Sequence, residues 1–71
     1  MQMDKIRTGK ILRDLRGKRT LSEVAKAVGV TASAMSMYEN GSRVPRDQVK
    51  MAIASYYMKP VSYIFFGDEV N

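Results

Sequence analysis

Two residue types that dominate enzyme sites are missing from this 71-residue chain, which has neither histidine nor cysteine. A general base or nucleophile would have to come from Asp, Glu, Lys, Tyr or Ser. No carboxylates sit at a catalytic spacing, no glycine-rich loop could cradle a phosphate, and no side chains cluster at metal-ligand spacing. The expectation is a protein without catalysis, cofactor, metal or small-molecule ligand. What remains is charge. Twelve Lys and Arg against seven Asp and Glu leave a net +5. The excess is confined to residues 1–30, because residues 31–71 carry four charges of each sign. A basic half on a small chain points to a polyanionic partner, most often nucleic acid.

Positioning such charges takes a scaffold, and the length allows one small domain over residues 1–71. An apolar fraction of 45% is that of a globular chain. The start, Met1-Gln2-Met3-Asp4-Lys5, lacks the apolar core of a signal peptide, and the run from Val61 to Phe66 is far too short to span a bilayer. The expectation is a cytoplasmic protein with no membrane partner. Gly17, Gly29, Gly41, Pro45, Pro60 and Gly67 punctuate the chain, and the apolar spacing between them is helical.

Five short helices follow, at about 5–16, 21–28, 32–40, 46–57 and 61–66. Thr8, Leu12 and Leu15 line one face of the first, and Gly17 ends it in a left-handed cap. Thr20-Leu21-Ser22-Glu23 is a capping box opening the second, which buries Val24, Ala25 and Val28 and stops at Gly29. Thr31 caps the third, whose Met35 and Tyr38 face inward before Asn40-Gly41. Val49, Ile53 and Tyr57 stripe the fourth, and Val61, Ile64 and Phe65 the last. Tyr57 and Phe65 are expected in the core.

The second and third helices are too short to stand alone, so they must pack on each other. Their turn, Gly29-Val30-Thr31, is tight, and Ala25 supplies a small side chain near the crossing. Small, glycine, apolar, apolar at positions 25, 29, 35 and 38 is a helix-turn-helix pattern.

The stretch from Ser22 to Thr31, followed by Met35-Ser36-Met37-Tyr38-Glu39-Asn40-Gly41-Ser42-Arg43-Val44-Pro45, resembles the Cro/Xre helix-turn-helix transcriptional regulators of phage-repressor type. The resemblance covers about residues 7–67. It implies an all-α, lambda-repressor-like domain whose third helix enters the DNA major groove. By that resemblance Thr31, Ala32, Ser33, Ser36 and Met37 face bases, and Asn40, Ser42 and Arg43 meet phosphate. Helical geometry agrees in part, since Ala32, Ser33, Ser36 and Met37 lie opposite Met35 and Tyr38. The family's Arg from helix one pairs with a Glu late in helix three, which nominates Arg16 and Glu39 for a structural salt bridge.

Two departures stand out. Leu21 occupies a position where the family often carries Gln for a phosphate contact. The turn Arg16-Gly17-Lys18-Arg19-Thr20 is also about two residues shorter than usual, bringing Lys18 and Arg19 to the start of helix two as phosphate candidates. The outward face of helix three carries no Arg, Gln or Asn, so direct base reading should be modest.

The rings of Tyr56, Tyr57, Tyr63, Phe65 and Phe66 exceed what so thin a core can hide, making Tyr63 and Phe66 candidate contacts of a homodimer on a palindromic operator. The resemblance also implies a bacterial or phage-encoded, nucleoid-associated repressor. The same fold could instead be a protein-interaction module, antirepressor-like or antitoxin-like, with weak or no DNA binding.

Overall fold

The computed structural model describes residues 4–67. Among these the fold is all helical: α1 (Lys5–Arg16), α2 (Leu21–Val28), α3 (Ala32–Asn40), α4 (Asp47–Tyr57) and α5 (Val61–Phe65). The first three starts have a local cause in a side-chain cap. Asp4 caps α1 by accepting from the Ile6 and Arg7 amides, Thr20 caps α2 with Glu23 closing the box, and Thr31 caps α3 through Ala34 N–H at 3.0 Å. Arg46 is the N-cap of α4 without a side-chain cap, so that helix begins at Asp47. Phe66 is the C-cap of α5.

Gly29 and Gly41 end α2 and α3 in the left-handed conformation, at φ 84° and 80°. Gly17 differs. Its φ of 57° is positive, but ψ is −124°, outside the left-handed helical region. The chain therefore leaves α1 through a tight turn, closed by the Arg19 amide donating to the Arg16 carbonyl at 3.1 Å, which is how so few residues reach Thr20.

The core is built from the side chains of Leu12, Val24, Met35, Ile53, Ile64 and Phe65, each with 0% exposure and drawn from all five helices. Burying each contributes about 1.5–3 kcal/mol. Tyr57 lies one turn after Ile53 on the same face of α4, but at the last residue of the helix, and is only half-buried. Thr8 lies fully inside, and its hydroxyl donates to the Ile64 carbonyl at 3.1 Å, stitching α1 to α5.

The tightest approach joins α1 to α3. A Cβ built on Gly9 would collide with the carbonyl oxygen of Glu39 and lie 2.8 Å from its carbonyl carbon. Only glycine lets these two backbones meet. Beside it, α2 and α3 cross at the Gly29 turn, where the Gly29 and Val30 amides both donate to the Ala25 carbonyl at 2.9 Å. Thus α3 is gripped from two sides. Among the described residues no helix is long and apolar enough to cross a membrane.

Candidate nucleic-acid interface

Ala34, Met35, Tyr38 and Glu39 are the buried residues of α3. The opposite face is left with Ser36, half-buried, and Ser33 and Met37, exposed; Ala32, expected on that face, lies at its edge, half-buried and packed against the core, because it is only about 60° around the helix from Met35. Thr31 is exposed at its N-terminus. This face bears no charge. Its two serines offer single hydrogen bonds and its methyl and thioether groups offer apolar contact.

Glu39 is the acid that α3 turns inward, and Arg16 of α1 meets it side-on. Arg16 Nε donates to Glu39 Oε2 at 2.7 Å and Nη2 to Oε1 at 3.0 Å, a two-pronged pair. The hydrogen bond to Glu39 raises the Arg16 pKa above its ordinary value. The Glu39 side chain keeps 4% of its surface exposed and Arg16 keeps 20%. Arg16 Nη1 also donates to the Arg19 carbonyl at 2.8 Å, so one guanidinium holds α3 and the α1–α2 turn together.

The phosphate candidates fall in two places. Lys18 and Arg19 sit in the turn before α2, and Asn40, Ser42 and Arg43 follow α3; all five are exposed. Asn40 Oδ1 accepts from the Ser42 amide at 2.9 Å and from its hydroxyl at 2.6 Å, fixing the loop that presents Arg43. Lys18 and Arg19 part company. The Arg19 guanidinium turns back, donating to the Leu15 carbonyl at 3.1 Å and lying over the rings of Tyr56 and Tyr57 at 5.6 and 5.9 Å.

Arg46 is a cation that sequence reasoning passed over. With Arg43, Thr31, Val30, Ala34 and Tyr38 it lines a cleft of about 400 Å³ between the helix-turn-helix and the start of α4. The signal was there, as Arg43 and Arg46 bracket Pro45, which is buried and anchors the loop between them.

The C-terminal rings are partly covered by cations. Lys50 Nζ lies 5.0 Å from the Phe66 ring centroid, and Lys59 Nζ 5.8 Å from that of Tyr63. Both rings are half-buried. The barest apolar side chain nearby is Met58, at 87% exposure. No group of three or more His, Cys, Asp or Glu could hold a metal among the described residues.

Comparison with known proteins agrees with this architecture. A family model described as a helix-turn-helix domain matches residues 9–60. The P22 c2 repressor, solved in complex with a synthetic operator in the presence of Tl⁺, superposes with a TM-score of 0.82 at 25% identity, over 86% of this chain and 96% of its own. The SOS-response transcriptional repressor LexA from Eubacterium rectale superposes with a TM-score of 0.81 at 24% identity, over 100% of this chain and 80% of its own. No curated protein sequence matches the chain significantly. With the family model spanning most of its length, the chain belongs to the helix-turn-helix domain family and has the five-helix fold of the phage repressors.

Proposed function

We propose that this protein is a small transcriptional regulator that binds double-stranded DNA with α3 in the major groove. The observation that carries the reading is the division of α3. Its inward face is locked by Met35, Tyr38 and the Arg16–Glu39 pair, while Ser33, Ser36 and Met37 are left outward, with Ala32 at their edge, on a helix-turn-helix flanked by Lys18 and Arg43. The likeness to a repressor solved on its operator supports the same reading.

In this reading Thr31, Ser33 and Ser36 make single hydrogen bonds, and Ala32 and Met37 meet thymine methyls. Lys18, Asn40, Ser42, Arg43 and the newly apparent Arg46 bear on phosphates, which supply most of the affinity. Specificity then rests largely on DNA shape. The described residues extend 31 Å at most, whereas successive major-groove faces recur about every 34 Å. Reading two half-sites therefore takes two copies, and α5 with Tyr63 and Phe66 is the surface we assign to that contact.

A second reading has its own observation. The uncharged outward face of α3 equally suits a protein partner, as in an antirepressor-like or antitoxin-like module. Duplex binding measured against salt separates the two. A steep fall of log K with log salt, about 0.9 per phosphate contacted, is the expected result. A flat slope, or no duplex binding at low salt, overturns the DNA reading. Selection from a random duplex pool should return palindromes. Ser33→Asp with Met37→Glu should abolish capture in a protein that still folds.

A further inference from the structure

We infer that Arg19 is a positioning residue, a latch that sets the attitude of Lys18 and the α2 N-terminus toward DNA, and not itself a phosphate ligand. The inference rests on the DNA-binding reading and divides labour within one of its two cationic corners.

The geometry is specific to this short turn. The last carbonyls of a helix lack intrahelical partners. At the end of α1 they are served by Arg19, whose amide donates to the Arg16 carbonyl at 3.1 Å and whose guanidinium donates to the Leu15 carbonyl at 3.1 Å. A cation there also complements the negative end of the helix dipole. The same guanidinium lies over Tyr56 and Tyr57 near the end of α4, two rings packed edge to face at 5.0 Å. From the other side, Arg16 Nη1 holds the Arg19 carbonyl at 2.8 Å while its remaining donors grip Glu39. The turn is thereby tied to α1 and α4 by Arg19 and to α3 through Arg16.

Lys18 stands beside it with its side chain exposed, and Thr20 begins α2 immediately after. A phosphate approaching this corner meets Lys18 and the α2 amides, whose placement depends on the latch. An arginine is required. Its planar fork bonds a carbonyl while stacking on rings, which a lysine ammonium cannot reproduce. Arg19→Lys therefore keeps the charge and loses the latch.

The test is a mutant cycle read on a labelled mixed-sequence DNA duplex, across a salt series, at a temperature where circular dichroism shows every variant folded. Arg19→Lys and Arg19→Gln should weaken binding alike, by about five-fold, equivalent to ~1 kcal/mol. Lys18→Gln should lower the salt slope by about 0.9. Adding Arg19→Lys to Lys18→Gln should cost less than Arg19→Lys costs alone, because one of the contacts that Arg19 serves is already gone. If Arg19→Lys binds like the parent while Arg19→Gln loses about 0.9 of slope, Arg19 is a phosphate ligand and the inference falls. Additive losses from Lys18→Gln and Arg19→Lys would make Arg19 merely structural and overturn it too. Absence of salt-dependent binding by the parent chain would remove the DNA reading itself, a result distinct from either.

Discussion

The Arg16–Glu39 pair yields a prediction whose sign and order follow from unequal burial. Breaking one side of a buried, hydrogen-bonded ion pair costs about 3–5 kcal/mol, most of it the penalty of the charge left behind. The two orphans differ here. Removing Arg16 strands a carboxylate with 4% of its side-chain surface exposed. Removing Glu39 strands a guanidinium that is 20% exposed and keeps its bond to the Arg19 carbonyl. Arg16→Met should therefore cost near the upper end of that range and Glu39→Ala near the lower. At ~0.05–0.15 kcal/mol per residue a chain of this length has about 4–11 kcal/mol to lose, so Arg16→Met should remove between roughly half of it and all of it. Urea titration with a common m value reads both variants, with exposed Arg43→Ala as a control expected within ~0.5 kcal/mol of the parent. The double variant Arg16→Met/Glu39→Leu should recover most of the loss, since apolar pairs often replace buried ion pairs without penalty. Glu39→Ala costing more than Arg16→Met, or both matching the control, would refute the reasoning.

Three further outcomes are expected. Gly9→Ala should lower the melting temperature although alanine favours helix by about 1 kcal/mol, because its methyl meets the α3 backbone, which cannot give way; an unchanged or higher midpoint in calorimetry would show that the helices can part freely. Thr31→Ala should cost about 1 kcal/mol, or ~4–8 °C in midpoint, by uncapping α3; thermal melts check it. Tyr57 has a buried hydroxyl with no hydrogen-bond partner among the described residues, and burial, reinforced by Glu39, pushes its pKa up to about 12. Tyr57→Phe should thus be neutral or stabilising at pH 7. The folded chain holds this proton where the unfolded chain, titrating near 10, has lost it, so the stability concerned is complete below about pH 10 and is lost as pH rises toward 12. Alkaline melts of Tyr57→Phe should accordingly fall less steeply than those of the parent across that window.

Helix ends were legible in the sequence because their causes are local. The Thr20–Glu23 box, the Thr31 cap and the stops at Gly29 and Gly41 each need only a few neighbouring residues. Gly9 was not legible. Inside a helix a glycine reads as a mere weakening, and its purpose exists only once α3 lies against it. The C-terminal rings were legible in number but not in surroundings, since each lies near a cation: Arg19 at Tyr56 and Tyr57, Lys50 at Phe65 and Phe66, and Lys59 at Tyr63. Gly17 was legible as a stop but not in its path, since a positive φ leaves ψ open for glycine.

The interface divides along the same line. Met35 and Tyr38 fix which side of α3 faces inward, and a helix of 9 residues then has little choice about what it shows. Adjacent Lys18 and Arg19 could not be told apart, because in sequence they are two equal cations; what separates them is Tyr56 and Tyr57, far along the chain. The structure gives the arrangement a consequence. Everything that holds α3 (the Gly9 contact, the Arg16–Glu39 pair, the packing beside Ala25) acts on its inward face or its ends. Exposed Ser33 and Met37 make no part of the core. Stability and recognition are therefore separable on this helix: substitutions at Ser33 and Met37 should change which duplex is held while leaving the melting temperature within a few degrees, and the reverse should hold at Arg16 and Gly9.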